Sequence, residues 1–279
     1  MIRCKELDME FETKSEMIKA LVANKNEIAA LKKSTIKRTM EVSFLLRQIT
    51  QKSFADGGQM LAIGDTIPVV INTTMYYDHH KDVHIDGIWN KSAREQTGKT
   101  YHVINHDLKL GSIVGYPKDV RIEVRVMTWR ELGYDAEGTT EALIFHTKMT
   151  DKTNEDAFKA YRDGEPVQHS IRMEYVSLAL AVDDPEMKEE YALYQKYLPL
   201  IANRSEVEED GYFWAVFEAK ISKEGSTVLF GSNDITPSLN TGSKSTNQQP
   251  GQPTIEQPQT PESPAFDLMK AINETTFLN

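Results

Sequence analysis

Cysteine is almost absent from this 279-residue chain, which contains Cys4 and no other. A single cysteine excludes an internal disulfide framework and a metal site built from thiolates, and it favours a reducing compartment. Long apolar runs are also missing, because no stretch approaches the ~18 residues that a membrane-spanning helix needs. The charged opening, residues 1–6, is unlike a secretory signal peptide. We therefore expect a soluble protein that contacts no membrane.

Basic residues are fewer than acidic residues. The chain has 32 Lys and Arg against 42 Asp and Glu, and its formal net charge is −10. General nucleic-acid binding needs a basic face, so this function is disfavoured. Gly-rich phosphate loops and a Gly-x-Ser-x-Gly motif are absent from the sequence, which disfavours nucleotide-binding folds and the ordinary α/β-hydrolases. Hydrophobic residues make up 39% of the chain, which is typical of a globular domain with polar extensions.

The composition divides the chain into three parts: an N-terminal helical extension (1–58), a core domain (59–237) and a flexible tail (238–279). Residues 13–50 are predicted to be helical, starting at a capping box. The box is formed by Thr13 and Glu16, and apolar residues follow at helical spacing: Met17, Leu21, Ile28 and Leu31. Basic residues cluster after them, namely Lys32, Lys33, Lys37 and Arg38. We interpret these as a solvated face; the alternative is a docking helix for a scaffold or shell protein.

The core domain alternates strand and helix patterns. Half-buried strands are predicted over 120–126 and 143–149, and another from Ser170 to Val182. A short helix capped by Thr153 or Asn154 should end at Gly164, and a second helix should begin at Asp184. Two further strands are expected, over 212–221 and 227–230. Many short strands with interspersed helices suggest a mixed α/β barrel surrounded by helices.

The tail is polar and proline-rich between residues 238 and 264. It lacks the apolar content that would offset chain entropy, so we expect disorder there. A short amphipathic segment follows, with Phe266, Leu268, Met269, Ile272 and Phe277. This segment is either a simple tail or a peptide that folds on a partner.

Three residues can supply the chemistry of a serine nucleophile. A serine hydroxyl needs a base to take its proton, and the base needs a third group to hold its ring. Ser170, His106 and Glu224 fit these roles as nucleophile, general base and orienting carboxylate. Alone, the residue types prove little, because most chains of this length contain all three.

Five stretches of the chain carry a family resemblance: residues 77–89, 101–106, 169–176, 211–216 and 224–233. In content and order they resemble the prohead maturation proteases of tailed bacteriophages, which are distant relatives of the herpesvirus assemblins in fold. The resemblance runs from about residue 66 to about residue 240, and it places His106, Ser170 and Glu224 in the catalytic stretches. Many members carry Gly two residues after the serine, whereas this chain has Arg172.

The resemblance implies a herpesvirus-protease-like β-barrel surrounded by helices, and a serine endopeptidase that acts inside the immature phage head in the host cytoplasm. Its substrates would be the scaffold protein and the major capsid protein, with self-processing expected as well. No cofactor, metal or nucleic acid is implied, and a homo-oligomer stays open. Arg172, on the same strand face as Ser170, is a candidate to support the oxyanion; backbone N–H groups are an equal alternative, and a surface ion pair with Glu174 or Asp163 is the simpler one.

Other assignments remain open from the sequence. Assemblins use a second histidine as the third member, so His79, His80, His84 and His146 are alternatives to Glu224, as is Asp107. A metal hydrolase is a rival function, because alternate residues of an extended segment would place five possible ligands on one face: Asp78, His80, Asp82, His84 and Asp86. Without a metal, Asp82 would shape a loop beside the site. A non-catalytic assembly protein with the same fold is the other rival.

Overall fold

The structure is a computed structural model that describes residues 1–36 and 61–239. Within them lie ten strands: β1 (Ile2–Cys4), β2 (Met9–Phe11), β3 (Thr66–Thr73), β4 (Asp82–His84), β5 (Tyr101–Ile104), β6 (Ile113–Gly115), β7 (Val120–Thr128), β8 (Thr139–Lys148), β9 (Gln168–Val182) and β10 (Tyr212–Val228). The same ranges contain six α-helices: α1 (Lys14–Ala23), α2 (Lys25–Ser34), α3 (Asn90–Gln96), α4 (Glu155–Asp163), α5 (Lys188–Tyr197) and α6 (Arg204–Asp210). The predicted mixed α/β class is confirmed.

Two expectations fall outside this part of the chain. The predicted continuation of the N-terminal helix to residue 50 and the tail from residue 240 onward, including the amphipathic segment 266–277, are not among the described residues. None of the helices that the structure describes is long and apolar enough to cross a membrane.

The long strand β10 organises a five-stranded sheet. Along one edge it pairs antiparallel with β9, from Tyr212–Val182 to Val228–Gln168. Along its other edge it pairs parallel with β4 near Trp214 and with β5 near Glu224, and β6 extends the sheet beyond β5. β10 therefore aligns three separate parts of the chain along one backbone.

A second sheet, in the order β3-β8-β7, is antiparallel throughout and packs against the first across a shared apolar core. The two sheets approach closely at Gly225, where a Cβ atom would lie 2.7 Å from Phe145 Cε2 and 3.1 Å from Ile71 Cγ2. Contacts this short leave no room for a side chain, so glycine is needed there. Across the described ranges the strands form separate sheets and no closed barrel.

The expectation of two strands over 212–221 and 227–230 is wrong. β10 is one strand of 17 residues, with a break in register between Ile221 and Gly225. Lys223 takes a left-handed conformation there, with φ of 72°. A bulge of this kind inserts extra residues while pairing resumes on both sides. The Glu-Gly-Ser triplet resembles a turn in sequence, but here it continues the strand.

The sequence signals for the start of α1 and for both ends of α4 are confirmed. Thr13 and Glu16 form the predicted capping box of α1. The Asn154 side chain caps α4 by accepting the N–H of Ala157, and Gly164 ends that helix in the left-handed conformation. The helix expected from Asp184 begins later, at Lys188, because Asp184 accepts the N–H of Glu186 in a turn.

The N-terminal helices pack on β9 and β10 through Met17, Ile18, Leu21 and Ile28, which join Leu180 and Trp214 in one apolar cluster. The prediction that Leu31 continues the buried apolar face of the helix is wrong. In α2, Leu31 is 62% exposed and Lys32 is buried. The helix is interrupted at Asn24, so the second half does not continue the stripe of the first. The interpretation of Lys32 as part of a solvated face is therefore wrong.

Lys32 ties α2 to the core of the protein. Its ammonium lies 2.5 Å from Asp82 Oδ1, donates to the carbonyl of His80 at 3.1 Å, and stands 5.6 Å above the Trp214 ring. The other Asp82 oxygen accepts the Tyr175 hydroxyl at 2.7 Å. Both charges are removed from water, and each has several partners, as a buried pair requires.

We predict that Lys32→Met destabilises the protein by about 3–5 kcal/mol, because Asp82 would be left as an uncompensated buried charge. Lys33→Met, one residue along on the exposed side of α2, should change the free energy of unfolding by no more than about 0.5 kcal/mol. Urea unfolding of both variants measures the difference. Equal effects at the two positions would show that the pair adds nothing to stability.

Candidate active site

Three neighbouring strands bring the predicted site residues together. Ser226 on β10 is the cross-strand partner of Ser170 on β9, and Thr227 is the partner of Ile104 at the end of β5. His106 follows β5 by two residues. Directly paired residues of an antiparallel ladder lie about 5 Å apart. Ser170 and His106 therefore flank the same short segment of β10, one from each edge.

The side chains of the site share the face of the sheet that is turned away from the main core. Gly225 and its partner Ile171 point into the core between the sheets. Because side chains alternate along a strand, Glu224, Ser226 and Ser170 point to the opposite face. These residues are nonetheless buried: Ser170 and His106 are each 6% exposed, and Glu224 is fully buried.

His106 and Glu224 form a buried imidazole–carboxylate pair, with 2.8 Å between Nδ1 and Glu224 Oε1. A carboxylate accepts, so Nδ1 carries the proton and, in the neutral ring, Nε2 has a free lone pair. Among the described residues Nε2 of His106 has no hydrogen-bond partner, and neither has Glu224 Oε2. The pair therefore presents an oriented ring whose basic nitrogen is available, as a general base requires.

The backbone around His106 is unusual. Asn105 and His106 both have positive φ, 51° and 55°, a conformation in which Asn and His are enriched but still uncommon. Hydrogen bonds hold the turn: Asn105 N–H donates to the carbonyl of Thr227 at 2.9 Å, and His106 N–H donates to Ser226 Oγ at 2.8 Å. Sparsely populated conformations persist only where the surroundings enforce them, and they cluster at functional sites.

Ser226 is a site residue whose role sequence reasoning missed. Its hydroxyl accepts the backbone N–H of His106 and is also 3.2 Å from the Val103 carbonyl, to which it can donate. Its position two residues after Glu224 puts it on the same strand face, which was the available signal. Because its oxygen is committed to the His106 turn, it serves as a support for the histidine.

The alternative third members have other partners. His79 contacts Asp234 at 3.1 Å, His146 contacts Glu123 at 2.6 Å, and Asp107 accepts the Ser112 hydroxyl at 3.1 Å. Glu224 is the carboxylate that the structure places against the His106 ring.

His84 lies elsewhere in the core, with Nδ1 3.0 Å from Asn72 and Nε2 3.3 Å from the Tyr175 hydroxyl. Burial lowers the pKa of His84 to about 4, although Asp82 opposes the shift. The carbonyl of His80 accepts from Lys32, and its N–H donates to Asp78. Both histidines therefore have backbone or ring contacts in the Lys32 region.

The segment 78–86 does not present its acidic and histidine side chains on one face. Asp78 accepts the N–H groups of His80 and Asp82 in a tight turn, Asp82 pairs with Lys32, and Asp86 contacts Thr74. Only Asp82–His84 is a strand, so the alternation assumed for a metal site does not apply. Over residues 1–36 and 61–239, no group of three or more His, Cys, Asp or Glu is arranged to hold a metal ion.

Arg172 lies on β9 two residues after Ser170, opposite the β10 bulge that contains Glu224. The two acidic residues suggested as ion-pair partners of Arg172 have other partners. Glu174 accepts the Ser222 hydroxyl, and Asp163 pairs with Arg162. Its buried Nε has no hydrogen-bond partner in the described part of the chain. A cation with an unused donor on this face can stabilise negative charge that develops near Ser170.

Comparisons of the chain with protein-family models, with curated proteins and with solved structures found no match.

Proposed function

We propose that the chain is a serine endopeptidase. The observation that carries this proposal is the buried His106–Glu224 hydrogen bond of 2.8 Å beside the strand that bears Ser170, with no partner for the second ring nitrogen within residues 1–36 and 61–239. An unsatisfied buried polar atom costs about 1–3 kcal/mol, and Nε2 is the ring nitrogen that a general base needs free to take the serine proton. The unbonded nitrogen is therefore the feature that favours a catalytic role.

The proposed reaction uses each residue in one role. Ser170 Oγ attacks the carbonyl carbon of the scissile peptide bond, and its proton passes to His106 Nε2. Glu224 holds the Nδ1–H tautomer and stabilises the imidazolium that forms. The C–N bond then breaks as His106 gives its proton to the leaving nitrogen. Water, activated by the same histidine, releases the acyl group from Ser170.

Arg172 is proposed to stabilise the oxyanion, since its Nε is buried and unbonded within the described residues. Negative charge on the former carbonyl oxygen develops only in the transition state, so a donor aimed there raises the rate. Backbone N–H groups of the β9 strand can share this role.

The biological setting is proposed from the sequence resemblance. It places the enzyme inside the immature phage head in the host cytoplasm, where it cuts the scaffold protein and the major capsid protein. The two packed sheets are compatible with the core of a herpesvirus-protease-like architecture, which belongs to the same proposal. One observation favours a second candidate, a non-catalytic capsid assembly protein: Nε2 of His106 makes no hydrogen bond to Ser170. In free enzymes, however, catalytic hydrogen bonds are often long and tighten only with substrate.

Ser170→Ala should abolish cleavage of the cognate shell and scaffold proteins in co-expression, with a rate loss of about 10⁴-fold or more. Ser177→Ala, at an exposed position on the same strand, is the matched control and should process normally. Gel analysis of the co-expressed proteins measures the outcome. Normal processing by the Ser170→Ala protein would exclude Ser170 as the nucleophile and favour the assembly protein.

His106→Ala should be as damaging as Ser170→Ala, and the double variant no worse, because the members act as a unit. Glu224→Gln should lose less, roughly 10²–10⁴-fold, because the ring keeps its place but loses its oriented tautomer. His146→Ala and Glu123→Gln are controls that break another histidine–carboxylate pair. If Glu224→Gln were fully active while a change at His79, His80, His84 or His146 inactivated the protein, that histidine would be the third member.

Self-processing is predicted in the polar segment 238–264, because such a segment offers accessible backbone to a protease cleft. Purified wild-type protein should yield a product shortened by about the length of the tail, and Ser170→Ala protein should stay intact. Mass spectrometry of both decides the question. A cut that persists in the Ser170→Ala protein would come from a host protease, and an intact wild-type chain that still cleaves substrate would contradict self-processing.

A further inference from the structure

A chain of hydrogen-bonded polar side chains lies on the other face of the strands that carry the candidate site. Its members are buried, at 6% exposure or less, and come from six places in the fold: Thr147 on β8, His102 on β5, Thr227 on β10, Tyr161 on α4, His169 on β9 and Thr236 after β10. The cross-strand pair Thr227–His169 points toward the main core, whereas its neighbour Ser226–Ser170 points the other way.

Every bond in this chain has a defined direction. His169 Nδ1 donates to the Thr236 carbonyl at 2.7 Å, since a carbonyl only accepts. In the neutral ring His169 Nε2 must then accept, and it takes the Tyr161 hydroxyl proton at 2.9 Å. Tyr161 has no further proton, so its oxygen accepts from the Thr227 hydroxyl at 2.5 Å.

The same reasoning gives the direction of the two remaining hydrogen bonds. Thr227 has used its proton, so its oxygen accepts from His102 Nε2 at 2.9 Å. His102 Nδ1 therefore accepts, and Thr147 donates its hydroxyl proton to it at 2.9 Å. Thr147, His102, Thr227, Tyr161 and His169 each donate one proton in a single direction, which ends at a backbone carbonyl. Such a network is stable when every member is satisfied.

Both histidines of this hydrogen-bonded chain, His102 and His169, are neutral. Burial lowers the pKa of His102 well below its usual range, and the nearby His169 adds to the shift. Burial likewise lowers the pKa of His169 to about 4, although its bond to Thr236 opposes the shift. The alternating donors and acceptors presuppose neutral rings, and burial of both rings is the physical reason that they are neutral.

The hydrogen-bonded chain is linked through the backbone to the segments that carry Ser170 and His106. His169 precedes Ser170, and His102 lies on β5, which leads directly to His106. Thr227 follows Ser226, and its carbonyl accepts the N–H of Asn105 in the strained turn before His106. The side chain of Thr227 is thus held by the polar chain while its backbone holds the His106 turn.

We propose that this six-residue chain is the positioning network of the site and that Tyr161, at its centre, is a positioning residue for the His106–Glu224 pair. The catalytic part of this inference rests on the proposed function. The chain holds β5, β9 and β10 in the register that places His106 and Ser170 on either side of Ser226. Loss of its central hydroxyl leaves the Thr227 proton and His169 Nε2 unsatisfied and loosens the turn that carries His106.

The test compares Tyr161→Phe with Tyr194→Phe. Tyr194 is a matched control because its hydroxyl is buried and has no hydrogen-bond partner among the described residues. On a peptide substrate, Tyr161→Phe should lower kcat by about 10- to 100-fold with little change in KM, since small displacements of catalytic groups cost this much. Tyr194→Phe should keep both constants.

A second readout does not depend on proteolysis. The proton that His106 donates to Glu224 should give a low-field signal in proton NMR, which disappears in His106→Ala. Tyr161→Phe should shift or broaden this signal, and Tyr194→Phe should leave it unchanged. If the wild-type protein cleaved nothing, the proposed function would fail, whereas the NMR comparison would still decide the positioning role.

A variant at the end of the chain covers the case in which Tyr161→Phe does not fold. Thr147→Val keeps the shape of the side chain but removes the proton donated to His102, whereas Thr147→Ser keeps that proton. Thr147→Val should perturb the His106 signal and lower kcat, and Thr147→Ser should restore both toward wild type. An unchanged His106 signal and kcat in folded Tyr161→Phe and Thr147→Val proteins would overturn the proposal.

Discussion

The close contact of the two main sheets at Gly225 decides which way the candidate site faces. A side chain at this position would collide with Phe145 and Ile71, so the close approach of the strand to the core here requires glycine. Because neighbours along a strand alternate, Glu224 and Ser226 must then point to the opposite face. The pairing of β10 with β9 and β5 brings Ser170 and the His106 turn to that face. One steric constraint therefore orients all of the proposed catalytic groups.

The buried polar groups of the protein fall into two kinds. Lys32 and Asp82 have several partners each, and every proton of the chain from Thr147 to Thr236 is used. Other buried atoms have no partner among the described residues, and three of them belong to the candidate site: His106 Nε2, Glu224 Oε2 and Arg172 Nε. The rest, such as the Tyr194 hydroxyl and Trp214 Nε1, lie elsewhere in the fold. Unsatisfied buried atoms cost free energy. The three atoms of the candidate site belong to residues that meet around one segment of β10, where a substrate group could supply the missing partners.

The two faces of β5, β9 and β10 differ in how completely their buried polar groups are hydrogen-bonded. The core-facing side carries neutral histidines whose protons are held in one direction, and its stability comes from complete satisfaction. The opposite side orients His106 through Glu224 and leaves its Nε2 without a partner in the described part of the chain. A rigid, satisfied layer beneath a catalytic layer is a general way to hold reactive groups within a fraction of an ångström.

Short-range features of this protein could be read from its sequence. The Thr13 capping box, the Asn154 cap, the Gly164 stop and the alternation of β7 each depend on residues within a few positions of one another. The sequence contexts also pointed to His106, Ser170 and Glu224 as a set. Their mutual geometry could not be read in this way, because the His106–Glu224 bond joins residues 118 positions apart.

The tertiary structure decided everything that depends on distant partners. The burial of Lys32 and the exposure of Leu31 follow from how α2 meets Asp82, and the continuity of β10 follows from pairing on both sides of its bulge. In sequence, the segment 78–86 resembled a set of metal ligands on one strand face. In the structure, its acidic side chains bond to Lys32, Thr74 and backbone N–H groups. Local sequence sets the propensities and caps of single elements, whereas register, burial and the pairing of charges are set by contacts that form only when the sheets pack.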